Sequence, residues 1–291
     1  MNEHYALDPA AAQSARDLKV LLNLFGLQSG RFIAKYPTHW PKLFMQFAQS
    51  LPEVERARML ALWRSKKSLL QPLTQVPFEE TSPWPNNAAI AQERHRAFHD
   101  VIGANGNRFG WRSLEDVLYE DGQELPDGRG DHVPMRASDY AKCVAPLFWV
   151  SAEVTLVDPY FTVQQETGRP DSRRIPVLKS FLELAARTPT MERLRLVLER
   201  RQIERTVGSL SVLTQLLEKI KNETAASHIS ISAEVLEKDE IGHGRYIFSI
   251  EGGLQFDQGF EEKKGARNHV HWLSAPELNP IVDKFSVKTR L

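Results

Sequence analysis

The segment 242–250, with the sequence GHGRYIFSI, places a histidine and an arginine two residues apart at the start of a predicted strand. Because alternate side chains of a strand point to the same face, we expect His243 and Arg245 to project together. An imidazole can attack phosphorus or transfer a proton, and a guanidinium can hold two phosphate oxygens. The spacing therefore indicates a phosphate site, although two half-exposed polar residues at a strand end would give the same pattern.

A second pair of histidines occurs near the end of the chain, in the segment NHVH. His269 and His271 are two residues apart, so they should share one face of a strand. They could ligate a metal ion or supply a proton to the His243 site, and the alternative is a polar pair on the sheet surface. From the sequence we predict no metal site and no cofactor.

Basic residues form two further groups that could contact phosphate. The first consists of arginines in a predicted strand and the turn that follows it: Arg193, Arg195, Arg200, Arg201 and Arg205. The second, Lys66 and Lys67, lies near the end of a helix predicted from residue 53 to residue 70. Glutamates alternate with the arginines, so about half of these charges should form solvated ion pairs. The remainder predict a phosphate-backbone contact surface without sequence specificity.

The elements that must position these residues differ between the two halves of the chain. Apolar residues before residue 120 recur mainly at helical spacing, which predicts a mostly helical amino-terminal domain at 1–132. After a loop rich in glycine, proline and acids at 120–136, strands alternate with helices. This pattern predicts an α/β domain at 133–291, with a mixed sheet sandwiched by helices. The predicted strands of that domain are 153–157, 194–199, 228–236, 245–250, 254–257 and 270–273, and its helices are 176–187, 207–223 and 276–285.

Composition limits the classes of function. The 291 residues include 37 Lys+Arg and 37 Asp+Glu, which excludes a diffusely basic polyanion binder. An apolar content of 42% excludes an intrinsically disordered chain. The single cysteine, Cys143, lies in an apolar run and is predicted to pack in the core. Neither a signal peptide nor an apolar stretch of about 18 residues is visible, so we expect a cytoplasmic protein without a membrane span.

Several segments together resemble the phospholipase-D-like superfamily. The resemblance rests on the strand that ends in Val157-Asp158-Pro159-Tyr160-Phe161, the His243-Gly244-Arg245-Tyr246 segment, the Gly252-Gly253 hairpin and Asp257-Gln258-Gly259-Phe260. It covers roughly residues 137–291, about half of the chain. The segments are especially similar to single-motif bacterial members and to the phospholipase-D-like carboxy-terminal domain of microtubule-interacting-and-trafficking proteins.

The family pattern is His, any residue, Lys, four residues, Asp, and it implies roles for particular positions. His243 matches the nucleophile that forms a phosphohistidine, and Arg245 stands in place of the lysine. The acid position falls on Ile250, so Glu251 and Asp257 become the candidate acids. Asp158, His269 and His271 are candidate supporting residues.

Two functions follow from the resemblance. The first is a component of a bacterial multi-protein system, such as anti-phage or anti-plasmid defence, that binds a phosphodiester backbone with degenerate or absent catalysis. The alternative is an active, metal-independent homodimeric phosphodiesterase or nuclease with His243 as nucleophile, because one motif per chain requires a second copy. The expected partners are nucleic acid, other protein subunits and a second copy of the chain.

Overall fold

The computed structural model of the protein describes residues 2–65, 70–72, 76–104, 110–119 and 130–285. The chain divides into two compact units, Asn2–Gly128 and Arg129–Leu291. Lys66 and Lys67, predicted to contact phosphate, lie outside the described residues. No helix in the described ranges is both long enough and apolar enough to cross a membrane.

The first unit is a four-stranded sheet with helices on both faces. The strand order is β3-β2-β1-β4 and all three pairs are parallel. Its strands are β1 Glu3–Leu7, β2 Arg31–Lys35, β3 Leu70–Pro72 and β4 Asp100–Ile102. Its helices are α1 Ala15–Leu24, α2 Trp40–Gln49, α3 Glu53–Ser65, α4 Trp84–His95 and α5 Leu114–Tyr119.

The prediction of a mostly helical first region missed this sheet. The strands are three to five residues long, and Phe32, Ile33 and Ala34 of β2 are all buried. A short, continuously apolar run cannot be distinguished from a buried helical segment by its periodicity. The same holds after α4, which stops at His95, since the apolar residues at 100–102 form β4 and do not continue the helix.

The second unit is built on a seven-stranded mixed sheet, which confirms the mixed α/β architecture predicted for this half. Its strand order is β5-β11-β10-β9-β6-β7-β8. The β6, β7 and β8 strands are parallel, and the remaining pairs are antiparallel. The strands are β5 Gly130–Pro134, β6 Glu153–Val157, β7 Arg193–Glu199, β8 Ser230–Leu236, β9 Tyr246–Phe248, β10 Gly253–Phe256 and β11 Arg267–Trp272. The helices are α6 Ala137–Val150, α7 Ile175–Ala186, α8 Arg200–Thr206, α9 Leu210–Asn222, α10 Lys238–Ile241 and α11 Ala275–Phe285.

Cys143 lies in α6 and is buried, in line with its predicted packing role. Burial raises the pKa of its thiol, because the thiolate would lose its hydration there. The side chain is therefore a poor nucleophile.

The strand directions bring several loops to one end of this sheet. Tyr246 of β9 pairs with Val157 of β6 in antiparallel register, so the residues before β9 lie beside those that follow β6. Since β7 and β8 run parallel to β6, the residues after these strands lie at the same end. In open α/β sheets, the carboxyl ends of the parallel strands are the usual place for a ligand. We call this the carboxyl end of the sheet.

Candidate functional site

Tyr160, which follows β6, holds His243 and Arg245 side by side at the carboxyl end of the sheet. Its hydroxyl oxygen lies 3.0 Å from Nδ1 of the exposed His243. The guanidinium carbon of Arg245 lies 5.0 Å from the centroid of the Tyr160 ring, a favourable cation–π distance. Both side chains contact Tyr160, although both residues precede β9, which begins at Tyr246. Sequence reasoning did not give Tyr160 a role, although it lies in the segment that carries the family resemblance.

Asp158 lies fully buried beside Arg245. Its carboxylate accepts hydrogen bonds from the backbone N–H groups of Tyr160, at 2.9 Å, and Phe260, at 3.2 Å. Its Oδ1 atom lies 3.7 Å from Nε of Arg245. Burial raises the pKa of Asp158, while the two backbone hydrogen bonds and the Arg245 charge partly offset that effect. The carboxylate thus ties the loop after β6 to the arginine.

Arg245 is fixed but still reachable from the surface. One terminal nitrogen donates to the backbone carbonyl of Asp257 at 3.0 Å, and the side chain remains 22% exposed. Gly259 contributes by lacking a side chain, since a Cβ there would lie 3.0 Å from Oδ2 of Asp158. Such an approach is closer than real Cβ atoms normally make, so the glycine lets this loop pass close to the buried carboxylate. The result is a positioned cation next to an exposed imidazole.

The two candidate acids lie in different places. Glu251 lies in the β9–β10 hairpin, at the opposite end of β9 from His243. There it lines a cleft of about 550 Å³ together with Thr155 and Arg193. The expectation that Glu251 shares the His243 site is therefore wrong, because the short strand β9 carries the chain across the sheet before Glu251 is reached. Asp257 lies at the His243 end, but its carboxylate is 3.6 Å from Nδ1 of His269 and only its carbonyl contacts Arg245.

His269 and His271 lie on the face of the sheet opposite Arg245. His271 pairs with Gln255, and Gln255 pairs with Tyr246, so these three residues share a face. Arg245, the neighbour of Tyr246, points to the other side. The structure therefore does not bring this histidine pair together with His243, and the expected role as proton donors to it lacks geometric support.

The predicted arginine cluster is divided between the two ends of β7. Arg193 begins the strand and forms an ion pair with Glu153 at 3.0 Å. Arg195 is only 7% exposed and donates to the backbone carbonyl of Phe285. The prediction that Arg195 contacts phosphate is wrong, since its side chain lies on the sheet face that α11 covers. These two arginines are thus separated from the His243 site.

The other three arginines belong to α8, at the carboxyl end. Arg200 pairs with Glu237 at 2.5 Å, and Arg205 pairs with Glu166 at 2.9 Å. Arg201 is exposed, and within the described part of the chain it makes no ion pair. The ion pairing expected from the interleaved glutamates is therefore present, and Arg201 is the α8 arginine most available to an anion.

Comparison with known proteins finds distant similarity to solved structures. No family profile matches the chain, and no curated protein matches it. A similar solved structure is that of TrmBL2, described as an archaeal chromatin protein that shows a novel mode of DNA binding. It is 13% identical over 83% of each chain, with a TM-score of 0.27. A TM-score this low does not establish a common fold.

Proposed function

We propose that the second unit is a phospholipase-D-like domain that binds the phosphodiester backbone of nucleic acid, with degenerate catalysis, as a component of a bacterial multi-protein system. The observation that carries the proposal is the contact of Tyr160 with both His243 and Arg245. It places a hydrogen-bonding imidazole next to a fixed guanidinium, anchored on the buried Asp158. The sequence resemblance supports the family and the setting in a multi-protein system.

The chemistry of the site suits a phosphate group. The guanidinium of Arg245 supplies a permanent positive charge, and a charge-assisted hydrogen bond to phosphate is about twice as strong as a neutral one. With Nδ1 of His243 engaged by Tyr160, the other ring nitrogen is left to meet the ligand. Arg201 on α8 extends the positive surface at the same end of the sheet. A backbone held by these groups would be recognised by charge and position, without reading of bases.

Three features favour binding over hydrolysis. Arg245 replaces the lysine of the family pattern, and a guanidinium does not substitute freely for an ammonium. Ile250 occupies the acid position and is 83% exposed in the hairpin, where it cannot reach His243. Hydrolysis through a phosphohistidine also needs a general acid to protonate the leaving group. The nearby histidines of β11 are on the wrong face of the sheet for that role.

One contact also fits the alternative of an active homodimeric nuclease. If Nδ1 of His243 carries the proton and donates to the Tyr160 hydroxyl, the other ring nitrogen keeps a lone pair that can attack phosphorus. A second copy of the chain would then have to supply the general acid. Cleavage of the oligonucleotide distinguishes the active nuclease from a protein that only binds.

The test uses the 291-residue chain and fluorescently labelled DNA and RNA oligonucleotides, single- and double-stranded. Anisotropy measures affinity, and denaturing gels measure cleavage in the presence of EDTA. We expect salt-sensitive binding without cleavage, weakened roughly tenfold by His243→Ala through the loss of one hydrogen bond to a charged phosphate. His228→Ala, an exposed histidine in the turn before β8, is the matched control.

Two results would decide against the proposal. Cleavage that persists in EDTA and disappears in His243→Ala would establish the active enzyme instead. An equal affinity of the two histidine variants, or an affinity that does not change with salt, would remove the phosphate site altogether.

A further inference from the structure

Tyr160 is the one Phe, Trp or Tyr residue that lies exposed among the side chains described by the structure. Its relative exposure is 38%, and the other aromatic residues in this set are buried or half-buried. A single exposed apolar residue is ordinary in a folded protein, so its significance depends on its surroundings. Here the side chain contacts the imidazole of His243 and the guanidinium of Arg245. The ring is thus the apolar part of a site whose other groups are polar.

The polar contacts of Tyr160 occupy one face of its ring and its hydroxyl group. The guanidinium carbon of Arg245 lies over one face, 5.0 Å from the ring centroid. The hydroxyl oxygen lies 3.0 Å from Nδ1 of His243. Since these contacts account for one face and the oxygen, the exposed surface of the side chain belongs mainly to the opposite face and the ring edge.

The same contacts hold the ring in place before any ligand arrives. The backbone N–H of Tyr160 donates to the buried carboxylate of Asp158 at 2.9 Å, which fixes the loop that carries the ring. The contacts with His243 and Arg245 then restrain the side-chain torsions. A surface that is already ordered loses little conformational entropy when a ligand binds to it. The Tyr160 ring therefore offers a fixed apolar platform.

A nucleobase is the part of a nucleic acid that suits a free aromatic face. Bases stack on aromatic side chains in proteins that bind single strands, and such stacking is tolerant of sequence because every base has a π-face. The base is joined to the phosphate through the sugar, so a phosphate held by His243 and Arg245 brings its own nucleotide to the same surface. In a duplex, by contrast, a base must first be unstacked, which costs free energy.

We infer that Tyr160 stacks one base of a single-stranded nucleic acid whose phosphate is held by His243 and Arg245. The inference rests on the proposed binding of phosphate at this site and names the class of nucleic acid that the site selects. Because the contact is made to the face of the base, its identity is not read. Selectivity is therefore for unpaired strands and not for a sequence.

Two strands of equal length and charge separate stacking from phosphate binding. One is a single-stranded oligothymidylate, and the other has the same sugar–phosphate backbone without bases. Anisotropy measures the affinity of the 291-residue chain for both strands at one salt concentration. We expect the wild type to bind the strand with bases at least about fivefold more tightly, which is the lower end of what one stacked base contributes.

Substitutions at Tyr160 should change the ratio of these two affinities in a predictable way. Tyr160→Leu removes the ring and should bring the ratio close to one, while the affinity for a duplex changes only as much as that for the strand without bases. Tyr160→Phe is the matched control, because it keeps the ring and should keep the ratio although both strands bind more weakly. His243→Ala removes a phosphate contact and should weaken both strands equally.

The outcomes distinguish a failure of stacking from a failure of the phosphate site. Equal affinity of the wild type for the two strands would overturn the stacking and leave phosphate binding intact. A Tyr160→Leu protein that retains the wild-type ratio would do the same, since the preference for bases would then come from elsewhere. If the wild type binds neither strand, both the phosphate site and the stacking on Tyr160 are overturned.

Discussion

At the scale of single residues, Tyr160 is the side chain that contacts both His243 and Arg245. Its hydroxyl determines where the imidazole sits, while its ring face supports the guanidinium of Arg245. These two contacts are chemically distinct, so they can be removed one at a time. The hydroxyl can be deleted without disturbing the ring that carries the arginine.

Tyr160→Phe should lower oligonucleotide affinity several-fold and leave thermal stability nearly unchanged. The variant keeps the cation–π contact and loses a hydrogen bond with a net value of about 1 kcal/mol, because His243 is then free to turn away. Tyr246→Phe, on the other face of the sheet, is the control and should bind as the wild type does. Anisotropy titrations and thermal melts measure both effects, and an unchanged affinity in Tyr160→Phe would show that the hydroxyl contact does not matter for binding.

Asp158 should make the folded protein less stable as the pH rises through the acidic range. Because burial raises the pKa of this carboxyl, the folded state binds its proton more tightly than the unfolded state does. The stabilisation from protonated Asp158 is fully present below the pKa of the unfolded state, about 3.9. It is lost as the pH rises through the pKa that Asp158 has in the folded state. Asp158→Asn cannot ionise, so its free energy of unfolding relative to wild type should increase with pH over this window.

Denaturant melts of the two proteins at a series of pH values measure that difference. The exposed Asp257→Asn serves as the matched control and should not reproduce the trend. A wild type that instead gains stability relative to Asp158→Asn over the same window would mean that the Arg245 charge and the two backbone hydrogen bonds outweigh burial.

At the scale of elements, the sequence predicted those strands and helices whose apolar residues recur at regular spacing. The alternation of apolar residues over 228–236 predicted β8, and the helical spacing over 207–223 predicted α9, because each element buries only one face. The parallel strands of the first unit are buried on both faces, which leaves no periodic signal.

The other contacts of the site depend on the order and pairing of the strands, which cannot be predicted from a local sequence pattern. The contact of Tyr160 with His243 exists because β6 and β9 are antiparallel neighbours, although 88 residues separate the end of β6 at Val157 from the start of β9 at Tyr246. The separation of Arg193 from Arg201 follows from their positions at opposite ends of β7. Sequence proximity had grouped these two arginines into one surface.

The two ends of β7 offer a matched pair of charge reversals. Arg201→Glu should weaken oligonucleotide binding and make its salt dependence shallower, since fewer counterions are released when one phosphate contact is lost. Arg193→Glu carries the same charge change at the far end of the strand and should leave both quantities close to wild type. Anisotropy titrations across a salt series measure the slopes, and equal losses in the two variants would point to a general charge effect.

At the scale of the whole molecule, the balance of basic and acidic residues limits how the chain could bind a polyanion. The 37 basic and 37 acidic residues give no net attraction for a polyanion, so the proposed binding requires a local arrangement of charges. In the second unit, most of the arginines near the carboxyl end are paired with glutamates, whereas Arg201 and Arg245 retain exposed positive surface. Affinity for nucleic acid should consequently be moderate and strongly dependent on salt.

The two units should be separable, because each has a core of its own. In the second unit α11 packs on Val157, Val197 and Phe248. The residues of the His243 site, Asp158, Tyr160, Arg201, His243 and Arg245, all belong to this unit. A fragment comprising residues 129–291 should therefore fold cooperatively and bind oligonucleotides as tightly as the full chain does. Circular dichroism melts and anisotropy titrations of the two proteins measure this directly. A fragment that folds but binds more weakly would show that the first unit contributes to the phosphate-binding surface, and an unfolded fragment would show that the second unit depends on the first for stability.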